Sequence, residues 1–140
     1  MVADGVVLIG AGGHARVLAD ALHLLGLAGR AVVLDARPEL CGTRLLGIPV
    51  AGGDELLPRR RSEGFTQFFV AVGGVRAVGL RRRLFEAAVQ AGLAPGILRH
   101  PASVVAESAV LGPGSQVLAG AIVNACAEIG ENVILNSGSI

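Results

Sequence analysis

The chain has 140 residues, enough for one ordinary domain or two small ones. Hydrophobic residues make up 52% and charged residues only 16%, so it can fill a core and still leave apolar surface for partner subunits. A net charge of +1 gives no reason to expect nucleic acid, and no segment is long and apolar enough to suggest a membrane span.

Val6 to Ile9 reads as a buried strand, followed by Gly10, Gly12 and Gly13 and then an apolar helix to about Leu25. His14 stands at the mouth of that helix, and Gly26 and Gly29 are its stop signals. Ala31 to Leu34 is a second strand ending at Asp35, and residues 36 to 47 read as a loop. "GIPVAGGDELL" suggests a short edge strand, since Pro49 cannot donate to a central ladder, followed by a short helix through Leu57 capped by Asp54. Residues 68 to 72, "FFVAV", form the clearest buried strand, Gly73-Gly74 turns the chain, and 76 to 91 read as an amphipathic helix ended by Gly92. Arg59 to Arg61 and Arg81 to Arg83 read as solvated loop and helix faces.

This alternation predicts a small α/β, Rossmann-like parallel sheet over residues 1–99. Ligands of such sheets lie beyond the carboxyl ends of the strands, where Gly10, Asp35 and Gly73 all fall. A glycine loop entering a helix is a phosphate cradle, because backbone N–H groups can approach an anion unobstructed. His14 would add a donor; His23 reads as a surface residue and His100 as structural.

After Pro101 the period changes. Cut from Val105, the chain reads VAESAV, LGPGSQ, VLAGAI, VNACAE, IGENVI, LNSGSI, with an aliphatic residue at every first position and a small residue or valine at every fifth. A repeating short strand and turn gives that period; a helix does not. Glu107, Glu128 and Glu131 then face outward, and Gly112-Pro113-Gly114 marks a turn between rungs. Cys41 and Cys126 fit no metal spacing and read as reduced, structural thiols, so no metal is expected. With no basic run ahead of the first apolar stretch, no secretory leader is expected and the chain reads as cytoplasmic.

On "GAGGHARVLAD", "GIPVAGGDELL", "FFVAVG", "HPASVVAESAVLGPG" and "AIVNACAEIGENVILNSGSI", the chain resembles the bacterial sugar acyltransferases that acetylate sialic acid or UDP-linked amino sugars. The resemblance implies a Rossmann-like nucleotide-sugar-binding domain over 1–99. It also implies the start of a left-handed parallel β-helix over 100–140, about two coils of a fold that forms homotrimers with acetyl-CoA between subunits. Carried over by position, Gly12, Gly13 and His14 would approach the diphosphate or its sugar, Asp35 and Ala36 would line the nucleotide pocket, and Gly73 would border it. Asn136 would position the acceptor or stack in a turn of the β-helix. Members commonly carry Asn or Asp after the third-loop glycine, where this chain has Gly74 and Val75. Their catalytic histidine follows the motif that here reads "ILNSGSI", so the chain is expected to be a truncated acetyltransferase with little activity. In the family that histidine takes a proton from the sugar amine or hydroxyl as it attacks the thioester, and backbone N–H groups hold the oxyanion.

Two other classes share part of the pattern. Gly10, Gly12 and Ala15 satisfy G-x-G-x-x-G/A, and Asp35 stands where an acid would bind ribose, as in an NAD-binding oxidoreductase or sensor. That reading leaves the six-residue repeats unexplained. A non-catalytic nucleotide-sugar-binding module is the third.

Overall fold

The computed structural model describes residues 4–140. The chain divides into two compact units, Met1–Pro95 and Gly96–Ile140, each with its own apolar cluster. The division falls four residues before the boundary expected after residue 99, because Leu98–Arg99 already forms a rung of the second unit.

The first unit is built on β1 (Gly5–Ile9), α1 (Gly13–Leu24) and β2 (Ala31–Leu34). It continues through a hairpin of β3 (Arg44–Leu45) and β4 (Ile48–Pro49), then α2 (Leu57–Ser62), β5 (Phe65–Val70), α3 (Val78–Gln90) and β6 (Ala94–Pro95). The sheet order is β2-β1-β5-β6, parallel throughout, as strand–helix alternation predicts. β1 and β2 are buried along their whole length, which explains their unbroken aliphatic runs. Phe68 of β5 meets Phe85 of α3 edge to face at 5.4 Å, fixing the helix on the sheet. α1 ends where expected: Gly26 takes φ 74°, its N–H bonds the His23 carbonyl and that of Leu27 bonds Leu22, so the last turn is satisfied by a residue without a Cβ.

The structure departs from the expectations, or adds to them, at four points. Asp54 does not cap a helix: it is the first residue of a 3-10 turn, Asp54–Leu56, whose cap is Gly53 and has no side-chain bond, and the α-helix that follows runs on to Ser62. The edge strand after Gly47 first pairs with β3 in a hairpin and then runs along β2, where Val50 bridges Val33, the Ala51 N–H bonds the Val33 carbonyl and the Asp35 N–H bonds the Gly52 carbonyl. Ala94–Pro95 supplies a fourth strand that a two-residue segment ending in proline does not announce. Arg81 is buried, at 6% exposure, whereas Arg82 and Arg83 are exposed as expected.

The second unit is a parallel β-helix of two-residue strands: β7 (Leu98–Arg99), β8 (Val104–Val105), β9 (Val110–Leu111), β10 (Gln116–Val117), β11 (Ile122–Val123), β12 (Glu128–Ile129) and β13 (Ile134–Leu135). Strands stack in the sets β7-β10-β13, β8-β11 and β9-β12, so each residue lies on the one 18 positions away and three hexapeptides complete a coil. The first positions of the repeats are the second residues of the strands. Val117, Ala121 and Val123 are buried, with Val105, Ala109, Leu111, Ala127, Ile129 and Leu135 packed on them. First and fifth positions therefore line the interior, and Glu107, Glu128 and Glu131 are exposed. At one corner a Cβ on Gly112 would run into the Gly130 carbonyl 18 residues on, so successive coils touch backbone to backbone there. Cys41 and Cys126 are both free, and both lie at the surface rather than in a core.

Candidate functional site

Three strand ends of the first unit build the site. At the end of β1 the Gly10 N–H bonds the Leu34 carbonyl at 2.7 Å, tying the glycine loop to β2. Gly10 has φ 119° and a Cβ there would lie 2.9 Å from the Ala71 carbonyl, so this position requires glycine on two counts. Gly12 and Gly13 differ: nothing lies within 4 Å of where their Cβ atoms would be. Gly12 caps α1 with no side-chain bond, and both it and Gly13, the first residue of the helix, are exposed at the positive end of α1.

Asp35, at the end of β2, is engaged in a way the sequence did not disclose. Its Oδ2 accepts from the Ala11 N–H at 2.9 Å and from Arg37 Nη2 at 3.2 Å. Its Oδ1 accepts from the Arg37 N–H at 2.9 Å and Arg37 Nε at 3.0 Å. Four donors occupy the roughly four acceptor sites of a carboxylate. Burial pushes the Asp35 carboxyl up, but the bonds from Arg37 and Ala11 outweigh it, and its pKa lies below the ordinary 3.8. Asp35 thus holds the glycine loop in shape, while the Arg37 guanidinium, 54% exposed, faces solvent beside it. Ala36 is exposed at the same edge.

The third strand end brings Gly73 against His14. A Cβ on Gly73 would come within 3.0 Å of His14 Cγ and 3.1 Å of its Cβ, so this glycine is what lets the loop lie on the ring. Gly74 takes φ 95° and ψ 150°, a conformation for glycine rather than for the Asn or Asp expected from relatives. Arg81 of α3 donates from Nη1 to the carbonyls of Val70 and Val72 just behind this loop.

Gly12, Gly13, His14, Asp35, Ala36 and Gly73 all belong to the first unit; Asn136 belongs to the second, exposed in the turn after β13. There its Oδ1 accepts from the Ser137 N–H at 2.9 Å and its carbonyl from Ser139, a turn-forming arrangement. His23 is exposed with Nε2 2.6 Å from the Leu46 carbonyl, and His100 Nδ1 accepts from the Ala102 N–H where the chain enters the β-helix. Arg37 and Arg81 were the residues missed: arginines among other arginines or next to a turn carry no sign of their partners.

The PglD N-terminal domain family matches residues 5–88, more than half of the chain. This chain belongs to that sugar acetyltransferase family. Among solved structures, PerB from Caulobacter crescentus, in complex with CoA and GDP-perosamine, is 39% identical with a TM-score of 0.84. The match covers 96% of this chain and 60% of PerB. The acetyltransferase domain of PglB from Neisseria gonorrhoeae FA1090, in complex with acetyl coenzyme A, is 37% identical with a TM-score of 0.85, covering 97% of this chain and 63% of that domain. The chain thus spans less than two thirds of the length of these family members. No curated protein matches it.

Proposed function

We infer that the chain forms the acceptor-binding part of an acetyltransferase that moves an acetyl group from acetyl-CoA to the amine of a nucleotide-linked amino sugar. The observation that carries this reading is the pairing of an unobstructed glycine loop at the N-terminus of α1 with a β-helix of 18-residue coils in one chain. PerB, 39% identical over nearly the whole chain, was solved with CoA and GDP-perosamine, and this favours a GDP-linked acceptor and an amine over a hydroxyl.

In this reading the exposed Gly12–Gly13 backbone receives the diphosphate, helped by the positive end of the α1 dipole. Asp35 keeps the loop in its receiving shape through Ala11, Arg37 and Ala36 border the nucleotide, and the His14 ring, backed by Gly73, faces the sugar end. The acceptor amine attacks the thioester carbonyl, CoA leaves as thiol, and a base takes the amine proton. His23 and His100 are bonded to backbone and His14 serves binding, so these 140 residues alone are expected to bind acceptor without measurable turnover. The reading includes a homotrimer. The outward residues Val104 and Ile122, paired on one face of the β-helix, are exposed aliphatics suited to a neighbouring subunit. It also includes a cytoplasmic location, in keeping with two free, exposed thiols. Among the described residues no helix is long and apolar enough to cross a membrane.

Thermal unfolding with GDP- and UDP-linked amino sugars, CMP-sialic acid and NAD tests the proposal. Ligand at 100 times its Kd stabilises by about 2.7 kcal/mol. Stabilisation by a nucleotide amino sugar is expected; stabilisation by NAD alone would overturn the reading. The occupied carboxylate of Asp35 argues against NAD, since a ribose would have to displace Arg37.

A further inference from the structure

Arg81 is a basic side chain in an unusual place. It lies in the first turn of α3 and is 6% exposed, behind the end of β5 rather than on the solvent face with Arg82 and Arg83. Burial disfavours its charged form and lowers its pKa, yet an arginine stays protonated in such a site. A guanidinium is therefore held in partial desolvation where an aliphatic residue would pack more cheaply, and its bonds show what it accomplishes there. Nη1 donates to the carbonyls of Val70 and Val72. Residues two apart along a strand point their carbonyls to the same edge, so one nitrogen clasps both.

The opposite edge of the same segment is held by the sheet. The Ala71 N–H bonds the Ile9 carbonyl at 2.8 Å, continuing the β1–β5 ladder one step past Val70. Val72 and Gly73 extend beyond that step. Between the Ala71 bond on one side and Arg81 on the other, residues 70–72 are kept extended past the end of the sheet, and Gly73 is delivered onto the His14 ring. The next residue, Gly74, takes a glycine-favouring φ of 95° and so gives the loop little stiffness of its own.

We propose that Arg81 is a positioning residue for the site: its guanidinium, clasping the Val70 and Val72 carbonyls, sets the Gly73 loop against His14 and thereby the surface that meets the sugar end of the acceptor. The last clause rests on the nucleotide-sugar reading; the placement of His14 does not.

The test follows the imidazole nitrogens of the three histidines by long-range 1H–15N spectra of the labelled chain, with His14→Gln to assign His14. Arg81→Met removes the donors and keeps the bulk. Arg81→Lys keeps a cation but shortens the arm and gives up the planar fork. Arg82→Met, on an exposed side chain, is the control. Arg81→Met should move the His14 signals and leave those of His23 and His100 in place, with a smaller movement in Arg81→Lys and none in Arg82→Met. The Kd for a GDP-linked amino sugar should rise about tenfold in Arg81→Met, as expected for a site loosened by a fraction of an ångström. Unmoved His14 signals in folded Arg81→Met, or a shift shared by all three histidines, would overturn the assignment. If the Met variant does not fold, the Lys variant decides on the same criterion. A wild-type chain that binds no nucleotide sugar would sink the functional reading, while the His14 signals still judge Arg81.

Discussion

At the residue scale, the glycines of the first loop are not equivalent, and the difference is testable. Gly10→Ala places a methyl against the Ala71 carbonyl at a φ of 119° and should destabilise the chain by about 2–4 kcal/mol in urea unfolding. Gly12→Ala enters open space at a φ of −89°, so its stability loss should stay within about 1 kcal/mol, the difference between glycine and alanine at a helix cap. Weakened nucleotide-sugar binding in a normally folded Gly12→Ala chain, read by calorimetry, would tie this backbone to phosphate; unchanged binding would remove it from the site. Asp35 gives a pH prediction. Its folded-state pKa lies below the ordinary 3.8, so its contribution to stability is complete above that value and is lost as pH falls through the depressed one. Asp35→Asn should lower stability at neutral pH by about 1–3 kcal/mol, chiefly through the Ala11 N–H, because the exposed Arg37 arm is screened by water. The gap between wild type and variant should narrow in acid unfolding below about pH 4.

At the element scale, the β-helix carries its stability in the first and fifth positions of each hexapeptide. Ala121, at a fifth position, is fully buried, so Ala121→Leu forces extra carbons into a closed corner and should cost about 1–3 kcal/mol. Ile122→Ser, one residue on and facing outward, should change the unfolding free energy by less than about 0.5 kcal/mol unless that face is covered by another copy. Equal effects of the two substitutions in urea titrations would contradict the inward–outward assignment. In the first unit the amphipathic helix after Gly74 carries Phe85, Ala88 and Arg81 on its buried side. Two of these three are apolar and follow from the period. The third looks in sequence like a member of a solvated Arg81–Arg83 run, since burial of one arginine depends on two carbonyls from another element.

At the scale of the whole molecule, two units with separate clusters give ligand binding a local signature. If the first unit receives the nucleotide sugar, amide hydrogen exchange should slow at residues 10–14 and 72–74 on saturation, with the β-helix interior around Val117 little changed. Protection confined to residues 104–135 would place the ligand on the wrong unit.

The sequence by itself determined the strand–helix alternation, the parallel sheet, the six-residue period and the glycine-bearing strand ends. Each is written in local spacing: aliphatic runs mark strands buried on both faces, and an unbroken repeat marks coils that stack on themselves. Residues such as Gly26, which takes φ 74° to end α1, announce their role because only one residue type does that work at low strain. Tertiary structure alone decided which polar groups meet. It gave Asp35, a candidate ligand contact, a bond to the Ala11 N–H, and drew Ala94–Pro95 into the sheet beside β5. It also lowered Arg81 behind the Gly73 loop. Hydrogen bonds of that kind join residues distant in the chain and depend on angles and burial that only the assembled sheet supplies, so no spacing in the sequence records them.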